Sequence, residues 1–269
     1  MKRQKNISWE NISTILYPLT FGIIVFGLWQ AGFLNIILNT DTNTLPSPSR
    51  INAIILDNKA KIFLNLKATL IVALLGLLFG SLIGYGLAIL VAQYKKWGAG
   101  AITLASAFNA VPIVALAPVM NNLTKQVSPN VDFRSMLAKT IVVMVICIAG
   151  MAVNAYRGLT ELKPFAKDLM KTYAASNFTI FKKLLLPNSV PYVFTALKVS
   201  LPGSIISALV TEYFSEKVIG IGRQIRENIV TAQFATAWAY IIVSCLIGIT
   251  LYVILLFVEN AVMKNRNRK

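Results

Sequence analysis

Histidine is absent from this 269-residue chain, and cysteine and acidic residues are scarce. Without histidine the chain lacks the usual general base and the commonest transition-metal ligand, which disfavours an enzyme and a metal site. The two cysteines, Cys147 and Cys245, both fall inside apolar segments and lack the spacing of metal ligands. We interpret them as packing thiols, and we expect no catalytic residue, no metal and no cofactor bound by this chain.

Nucleotide-binding motifs are absent as well. The sequence contains neither G-x-x-x-x-G-K-[ST] nor a G-x-G-x-x-G between a strand and a helix. If the protein carries out ATP-driven transport, the hydrolysis must therefore take place on another chain. The net charge is +16, but the basic residues lie mainly in the gaps between apolar segments. We expect no nucleic-acid partner, because Lys and Arg in a membrane protein report its topology first.

Hydrophobic residues make up 56% of the chain and charged residues only 13%, which is typical of a polytopic membrane protein. A helix needs about 20 mostly apolar residues to span a bilayer. The sequence predicts an all-α protein with one membrane domain (1–269, core roughly 68–258). Six segments qualify as spans: Thr14–Leu34, Ala68–Ala92, Ala101–Met120, Thr140–Tyr156, Tyr192–Tyr213 and Thr236–Val258.

The distribution of Lys and Arg in the gaps predicts the orientation. The side that holds both termini carries 15 basic residues, and the opposite side carries 10. Because basic residues are enriched in cytoplasmic loops, we predict that both termini and the loop over 163–191 are cytoplasmic.

That loop, which interrupts two apolar segments with basic residues, has a helical pattern of its own. Ala174, Phe178, Phe181 and Leu185 recur at helical spacing, and four lysines surround them. The pattern predicts one amphipathic helix that ends at Leu186–Pro187. An amphipathic helix on the basic side of a membrane protein is typical of a docking surface.

Glycines recur every four residues in the second span, at Gly76, Gly80 and Gly84. Three missing side chains on one face let another helix approach closely. The spacing predicts packing inside the bundle, with a hinge that slides during transport as the alternative.

Small hydroxyl residues form a second stripe, in the fifth span, which ends at a carboxylate, Glu212. The stripe predicts either close packing or a wetted pathway. Glu212 is either a gate residue or a solvated helix end. The amides of Asn109 and Asn154 lie near membrane depth, which predicts that each either forms an interhelical hydrogen bond or faces a cavity. We expect Lys198 to extend to the cytoplasmic surface. The candidate pathway residues are Asn109, Asn154, Ser200, Ser204, Ser207, Thr211 and Glu212.

The loop resembles the EAA loop of the permease subunits of ABC importers. Asp168-Leu169-Met170 stands where E-A-A is expected, Ala174 replaces the glycine, and Leu184 to Pro187 form the end. The run YAASNFTIFKKLLLPNSVP, the segment LPSPS, the Pro112…Pro118 pattern and Glu212 followed by Gly220-Ile221-Gly222 are similar to the taurine/sulfonate/nitrate branch. Since Ala174 is not glycine, we expect an ordinary helical or extended backbone at this position.

The resemblance implies a type I importer fold in the inner membrane. Two permease copies would form a dimer, two ATPase subunits would hold ATP and Mg²⁺, and a binding protein would deliver a small organic solute, such as a sulfonate, nitrate or vitamin precursor. An ion-gradient-driven secondary transporter is the alternative, although no carboxylate lies squarely inside a predicted span. The resemblance implies ATPase contacts at Asp168, Ala174, Ala175, Phe178, Phe181, Leu186 and Pro187.

Overall fold

The computed structural model describes residues 9–93, 95–107, 110–215 and 217–266, and all regular structure in these ranges is helical. The elements follow one another along the chain as α1 (Trp9–Gln30), α2 (Phe33–Ile37), α3 (Pro48–Asp57), α4 (Lys59–Gln93), α5 (Lys95–Ala107), α6 (Ile113–Thr124), α7 (Val131–Thr160), α8 (Ala166–Thr172), α9 (Asn177–Ile180), a π-helical turn (Phe181–Leu185), α10 (Leu186–Tyr213), α11 (Ile221–Val230) and α12 (Phe234–Arg266).

Among the described residues, four continuous helical segments are long and apolar enough to cross a membrane: 59–93, 131–160, 177–213 and 234–264. They contain the second, fourth, fifth and sixth predicted spans. The first predicted span falls on α1, whose apolar part, Leu16–Gln30, is shorter. It ends before Leu34 because the chain turns at Gly32, where φ is +77°. Glycine adopts this left-handed conformation without a Cβ clash.

The third predicted span, Ala101–Met120, is wrong as a single helix. It is divided between α5 and α6, which are 13 and 12 residues long, or about 20 Å and 18 Å at 1.5 Å per residue. Pro112 precedes α6 with an extended backbone (ψ 116°). Proline has no N–H and disfavours a helical conformation in the residue before it, so one helix cannot run through this position.

The two short helices together connect opposite ends of the bundle. A Cβ at Gly98 of α5 would lie 2.9 Å from the hydroxyl of Tyr156, near the end of α7. At the other end, the amide of Asn121 in α6 donates to the carbonyl of Phe214 (3.2 Å). We call these two ends the loop end, next to 163–191, and the Glu212 end. The third crossing is therefore a broken helix, an arrangement that membrane proteins tolerate where the break is covered by protein or faces a cavity.

Helices α4, α7 and α10 form the core of the bundle. A Cβ at Gly76 would lie 2.5 Å from Cβ of Val143, and a Cβ at Gly80 would lie 2.7 Å from Cβ of Cys147. Gly84 faces α7 in the same way, with the carbonyl of Ile148 2.6 Å from the position of a Cβ. These contacts are the close helix packing that the glycine spacing predicts.

Candidate functional site

The 163–191 loop begins with α8, whose apolar side chains project away from the bundle. Leu169 is 59% exposed and Tyr173 is 79% exposed. Phe165, 82% exposed, precedes the helix with a left-handed backbone (φ 62°). Asp168 lies in the first turn of α8 and is exposed too. An acidic residue there is favourable because the helix N-terminus carries partial positive charge.

The expectation of an ordinary backbone at Ala174 is wrong, since its φ is +52°. The N–H of Ala174 donates to the carbonyl of Lys171 (2.8 Å), and the N–H of Ala175 donates to that of Met170 (3.0 Å). These two bonds form a Schellman motif that ends α8, with Ala174 at the position where glycine is favoured. The motif requires a left-handed residue regardless of its side chain, which explains why the resemblance expects glycine here.

The predicted apolar stripe of the loop does not lie on one helix. After the turn at Ala174, Ser176 caps α9 by accepting from the N–H of Thr179 (3.2 Å). Phe178 then projects outward and is 72% exposed. By contrast, Phe181 and Leu185 pack inward on a cluster of buried side chains from three helices: Ala88, Met151, Ala155, Leu159 and Ala196. The stripe is therefore split between an exposed part and an anchoring part.

The predicted helix end at Leu186–Pro187 is also wrong, because helical structure continues from Asn177 to Tyr213. A π-helical turn, Phe181–Leu185, precedes the proline, and the N–H of Leu186 donates to the carbonyl of Phe181. Pro187 then stands in the first turn of α10, directly after the π-helical turn. The wider turn lets the helix pass through a proline that would otherwise interrupt it.

Three polar residues that the sequence did not single out attach the loop to the bundle. The side-chain amide of Asn188 donates to the carbonyls of Gly158 (2.8 Å) and Glu161 (3.1 Å) at the end of α7. Ser189 is fully buried, and its hydroxyl is 2.8 Å from that of Tyr85 in α4. Movement of the loop would therefore be transmitted to both α4 and α7.

The hydroxyl stripe of α10 is buried inside the chain. Ser200, Ser204, Ser207 and Thr211 are all at most 4% exposed. The last three donate to carbonyls of their own helix at 2.6–2.9 Å. The burial of these side chains agrees with packing against neighbouring helices. A role for the stripe in a pathway stays a prediction.

The remaining polar residues of the predicted pathway are placed differently. The Asn154 amide donates to Gly150 of its own helix (2.9 Å) rather than across helices, and Asn109 lies outside the described residues. Lys198, which we expected to extend to the surface by itself, forms an ion pair with Glu259 of α12 at 2.9 Å.

Glu212 is not a solvated helix end, since it is 1% exposed. Its Oε2 accepts from the hydroxyl of Thr69 in α4 (2.9 Å) and from the N–H of Gly222 in α11 (2.9 Å). Thr69 in turn accepts from the N–H of Ile221 (2.9 Å). Nearby, the side-chain oxygen of Asn65 accepts from the N–H of Gly220 (2.9 Å). The carboxylate thus joins α10 to α4 and to the start of α11.

Glycine is required on both sides of this joint. Gly220 has φ +119°, and a Cβ there would lie 2.5 Å from Oε1 of Glu212. A Cβ at Gly222 would collide with the carbonyl of Leu209. The sequence indicated Glu212 as either a gate residue or a solvated helix end, and Gly220 and Gly222 as part of the family resemblance. Their partners Asn65, Thr69 and the nearby Lys139 gave no sequence signal, because contacts between distant segments depend on the tertiary fold.

Comparison with known proteins agrees with this architecture. The chain is similar to the formylaminopyrimidine transport permease protein ThiX of Halalkalibacterium halodurans, with 24% identity over 94% of this chain and 97% of that protein. It is also similar to a probable ABC transporter permease protein of Haemophilus influenzae, with 24% identity over 74% of this chain and 77% of that protein.

Solved structures share the fold. The methionine ABC transporter MetNI in an inward-facing conformation matches with a TM-score of 0.62 and 15% identity, over 77% of this chain and 96% of that one. A bacterial ABC transporter involved in the import of the acidic polysaccharide alginate also matches with a TM-score of 0.62 and 15% identity, over 94% and 98% of the two chains. The predicted all-α, type I importer-like fold is confirmed.

One family accounts for both the helical bundle and the exposed loop. Residues 76–264, well over half of the chain, match the family described as the binding-protein-dependent transport system inner membrane component. Members of this family are multi-pass permeases that work with an ATPase and a binding protein. The protein belongs to this family of ABC importer permeases.

Proposed function

We propose that the protein is the permease subunit of an importer for a small heterocyclic solute of the formylaminopyrimidine type. The observation that supports this substrate class is the similarity to ThiX, which extends over nearly the whole of both chains. The taurine/sulfonate/nitrate substrates that the motifs suggested have no support from the relatives, whereas a vitamin-precursor-like solute remains compatible with them. Family membership leaves the ion-gradient alternative without support.

The coupling of ATP hydrolysis to transport would act through the 163–191 loop. Its exposed apolar side chains, Leu169, Tyr173 and Phe178, offer a surface for an ATPase subunit. Asn188 and Ser189 attach the loop to α7 and α4, so displacement of the loop moves these helices together. In a dimer with two ATPase subunits, such rigid-body movement would alternate access to a central pathway, with ATP and Mg²⁺ bound by the ATPases.

The loop assignment is tested by the variant Phe178→Asp. We expect normal membrane levels, loss of ATPase co-purification and loss of solute uptake, because a charge replaces an exposed aromatic side chain at the contact. Leu56→Asp is the matched control, since Leu56 is 61% exposed on α3 at the opposite end of the bundle. It should retain the ATPase. Phe181→Asp should instead lower the amount of folded protein, because Phe181 packs on the core. Full ATPase retention by Phe178→Asp would refute the docking role.

The substrate class is tested by uptake of labelled formylaminopyrimidine and of taurine in cells with and without this chain. Uptake of the first compound alone, dependent on the chain, is the expected result. Chain-dependent uptake of taurine alone would overturn the proposed substrate.

A further inference from the structure

A cavity of about 270 Å³ lies at the Glu212 end of the bundle, between α4, α7 and the segment that follows α10. Four charged side chains line it, two of each sign: Asp132, Lys139, Glu212 and Lys217. Its remaining walls are largely apolar, including Ile71 and Phe133. An apolar cavity with a few convergent polar groups is the usual form of a small-molecule site.

Two of the four charges satisfy each other. The ammonium of Lys217 lies 2.7 Å from Oδ1 of Asp132, at the more exposed edge of the cavity. This pair leaves Lys139 and Glu212 as the groups that are available to an occupant.

Lys139 is 5% exposed, and within the described part of the chain its ammonium has neither a hydrogen-bond acceptor nor an ion-pair partner within 4.0 Å. An ammonium that is largely withdrawn from water and has no acceptor from the protein is incompletely solvated, which is costly. Glu212 compensates the positive charge of Lys139 at a longer range than an ion pair. Its Oε2 accepts from Thr69 and Gly222 rather than from Lys139, and its Oε1 is without a hydrogen bond. A hydrogen-bond acceptor in the cavity would satisfy Lys139, and an N–H next to that acceptor would face the wall formed by the negatively charged Glu212.

We propose that this cavity binds the transported solute, a small neutral molecule with a hydrogen-bond acceptor beside an N–H donor; the inference rests on the proposed function. The equal numbers of positive and negative side chains favour a neutral occupant, since an anion would gain Lys139 but be repelled by Glu212, while Asp132 and Lys217 neutralise each other. The apolar walls suit a ring or methyl group. A formylamino or aminopyrimidine edge has this chemistry, whereas a sulfonate offers acceptors only.

The test uses the complex of this permease with its ATPase in phosphatidylcholine nanodiscs, a lipid whose headgroup has no N–H to offer Glu212. Binding of formylaminopyrimidine is measured by calorimetry without a binding protein, with methanesulfonate as the anionic comparison. We expect one solute per permease chain and no heat with methanesulfonate. Lys139→Met should weaken binding by about tenfold or more, because a hydrogen bond to a charged donor is lost.

Two further variants separate a binding role from a folding role. Ala68→Leu fills the cavity without changing a charge, and should also weaken binding. Lys67→Met removes an exposed lysine from the same helix, and should bind the solute as the unaltered complex does. Equal binding by all variants, or a cavity occupied by water only, overturns the proposal.

Uptake in cells distinguishes the two possible failures. If the unaltered chain supports uptake of formylaminopyrimidine but the complex does not bind it in this cavity, the cavity assignment fails alone. If the unaltered chain supports no uptake of this solute, the proposed substrate itself is refuted.

Discussion

Single residues determine how the Glu212 end is joined. Oε2 of Glu212 accepts two hydrogen bonds, one from α4 through Thr69 and one from α11 through Gly222. Such bonds to a charged group contribute about 1.5–3 kcal/mol each, and their loss leaves the N–H of Gly222 unsatisfied. Glu212 therefore both joins three helices and lines the cavity that contains Lys139.

Replacing this carboxylate should destabilise the whole bundle. We expect Glu212→Ala to lower the free energy of unfolding by about 3 kcal/mol. The Gly222 N–H loses its acceptor, the Thr69 hydroxyl keeps only the Asn65 carbonyl as an acceptor, and Lys139 loses the carboxylate that shares its cavity. The measurement is thermal unfolding of the purified chain in detergent, followed by size-exclusion chromatography. Asp57→Ala removes an exposed carboxylate at the same end and should unfold as the unaltered chain does. Equal stability of the two variants would contradict the proposed role of Glu212 in joining α10 to α4 and α11.

Ala174 adopts a left-handed backbone conformation that alanine disfavours. A left-handed conformation costs a non-glycine residue about 1–2 kcal/mol. The two hydrogen bonds of the Schellman motif, together with the N-cap at Ser176, hold the turn in place despite this cost.

At the scale of the elements, the packing of α4 on α7 depends on which glycines face the contact. Gly76, Gly80 and Gly84 lie against α7, while Gly86 on the same helix has no heavy atom within 4 Å of the position of a Cβ. The same substitution at Gly80 and Gly86 thus separates packing from helix propensity.

We expect Gly80→Ala to destabilise the chain by about 1–3 kcal/mol, because the new methyl group would overlap the backbone of Met144 and the side chain of Cys147. Gly86→Ala should be neutral or stabilising by up to about 1 kcal/mol, since alanine favours the helix and meets open space. Thermal unfolding in detergent measures both. A stabilised Gly80→Ala variant would mean that the two helices do not approach as closely as described.

At the scale of the whole molecule, the termini of the long helices alternate between two ends. The side chains of Trp29 and Trp238 donate to the carbonyls of Pro46 and Thr44, which brings the end of α1 and the start of α12 together. The pair Lys198–Glu259 lies farther toward the loop end. The end of α12 and the 163–191 loop therefore lie on the same side of the bundle.

The side that faces the cytoplasm is a prediction from the basic residues, and cysteine labelling tests it. In a Cys245→Ala background, Asp57→Cys should react with a membrane-impermeant thiol reagent in intact cells. Leu169→Cys should react only after the cells are opened, because we expect the 163–191 loop to face the cytoplasm. Cys147 is buried and should stay unlabelled. The opposite labelling pattern would reverse the predicted orientation.

The sequence by itself determined the class of protein, most of the spans and the packing face of α4. These properties depend on local composition and spacing: long apolar runs predict spans, and glycines every four residues predict a close helix contact. The family motifs were visible for the same reason. The exposed position of Phe178 and Asp168 agrees with the predicted docking loop, although ATPase contact by these residues stays a prediction.

Only the tertiary structure decided the split of the apolar stripe and the partners of Glu212. Phe178 and Phe181 belong to one helical pattern in the sequence, yet the turn at Ala174 and the π-helical turn direct one outward and the other inward. Glu212 meets Thr69, 143 residues earlier in the chain. No local pattern encodes such a contact, because it arises from the packing of helices that are distant in sequence.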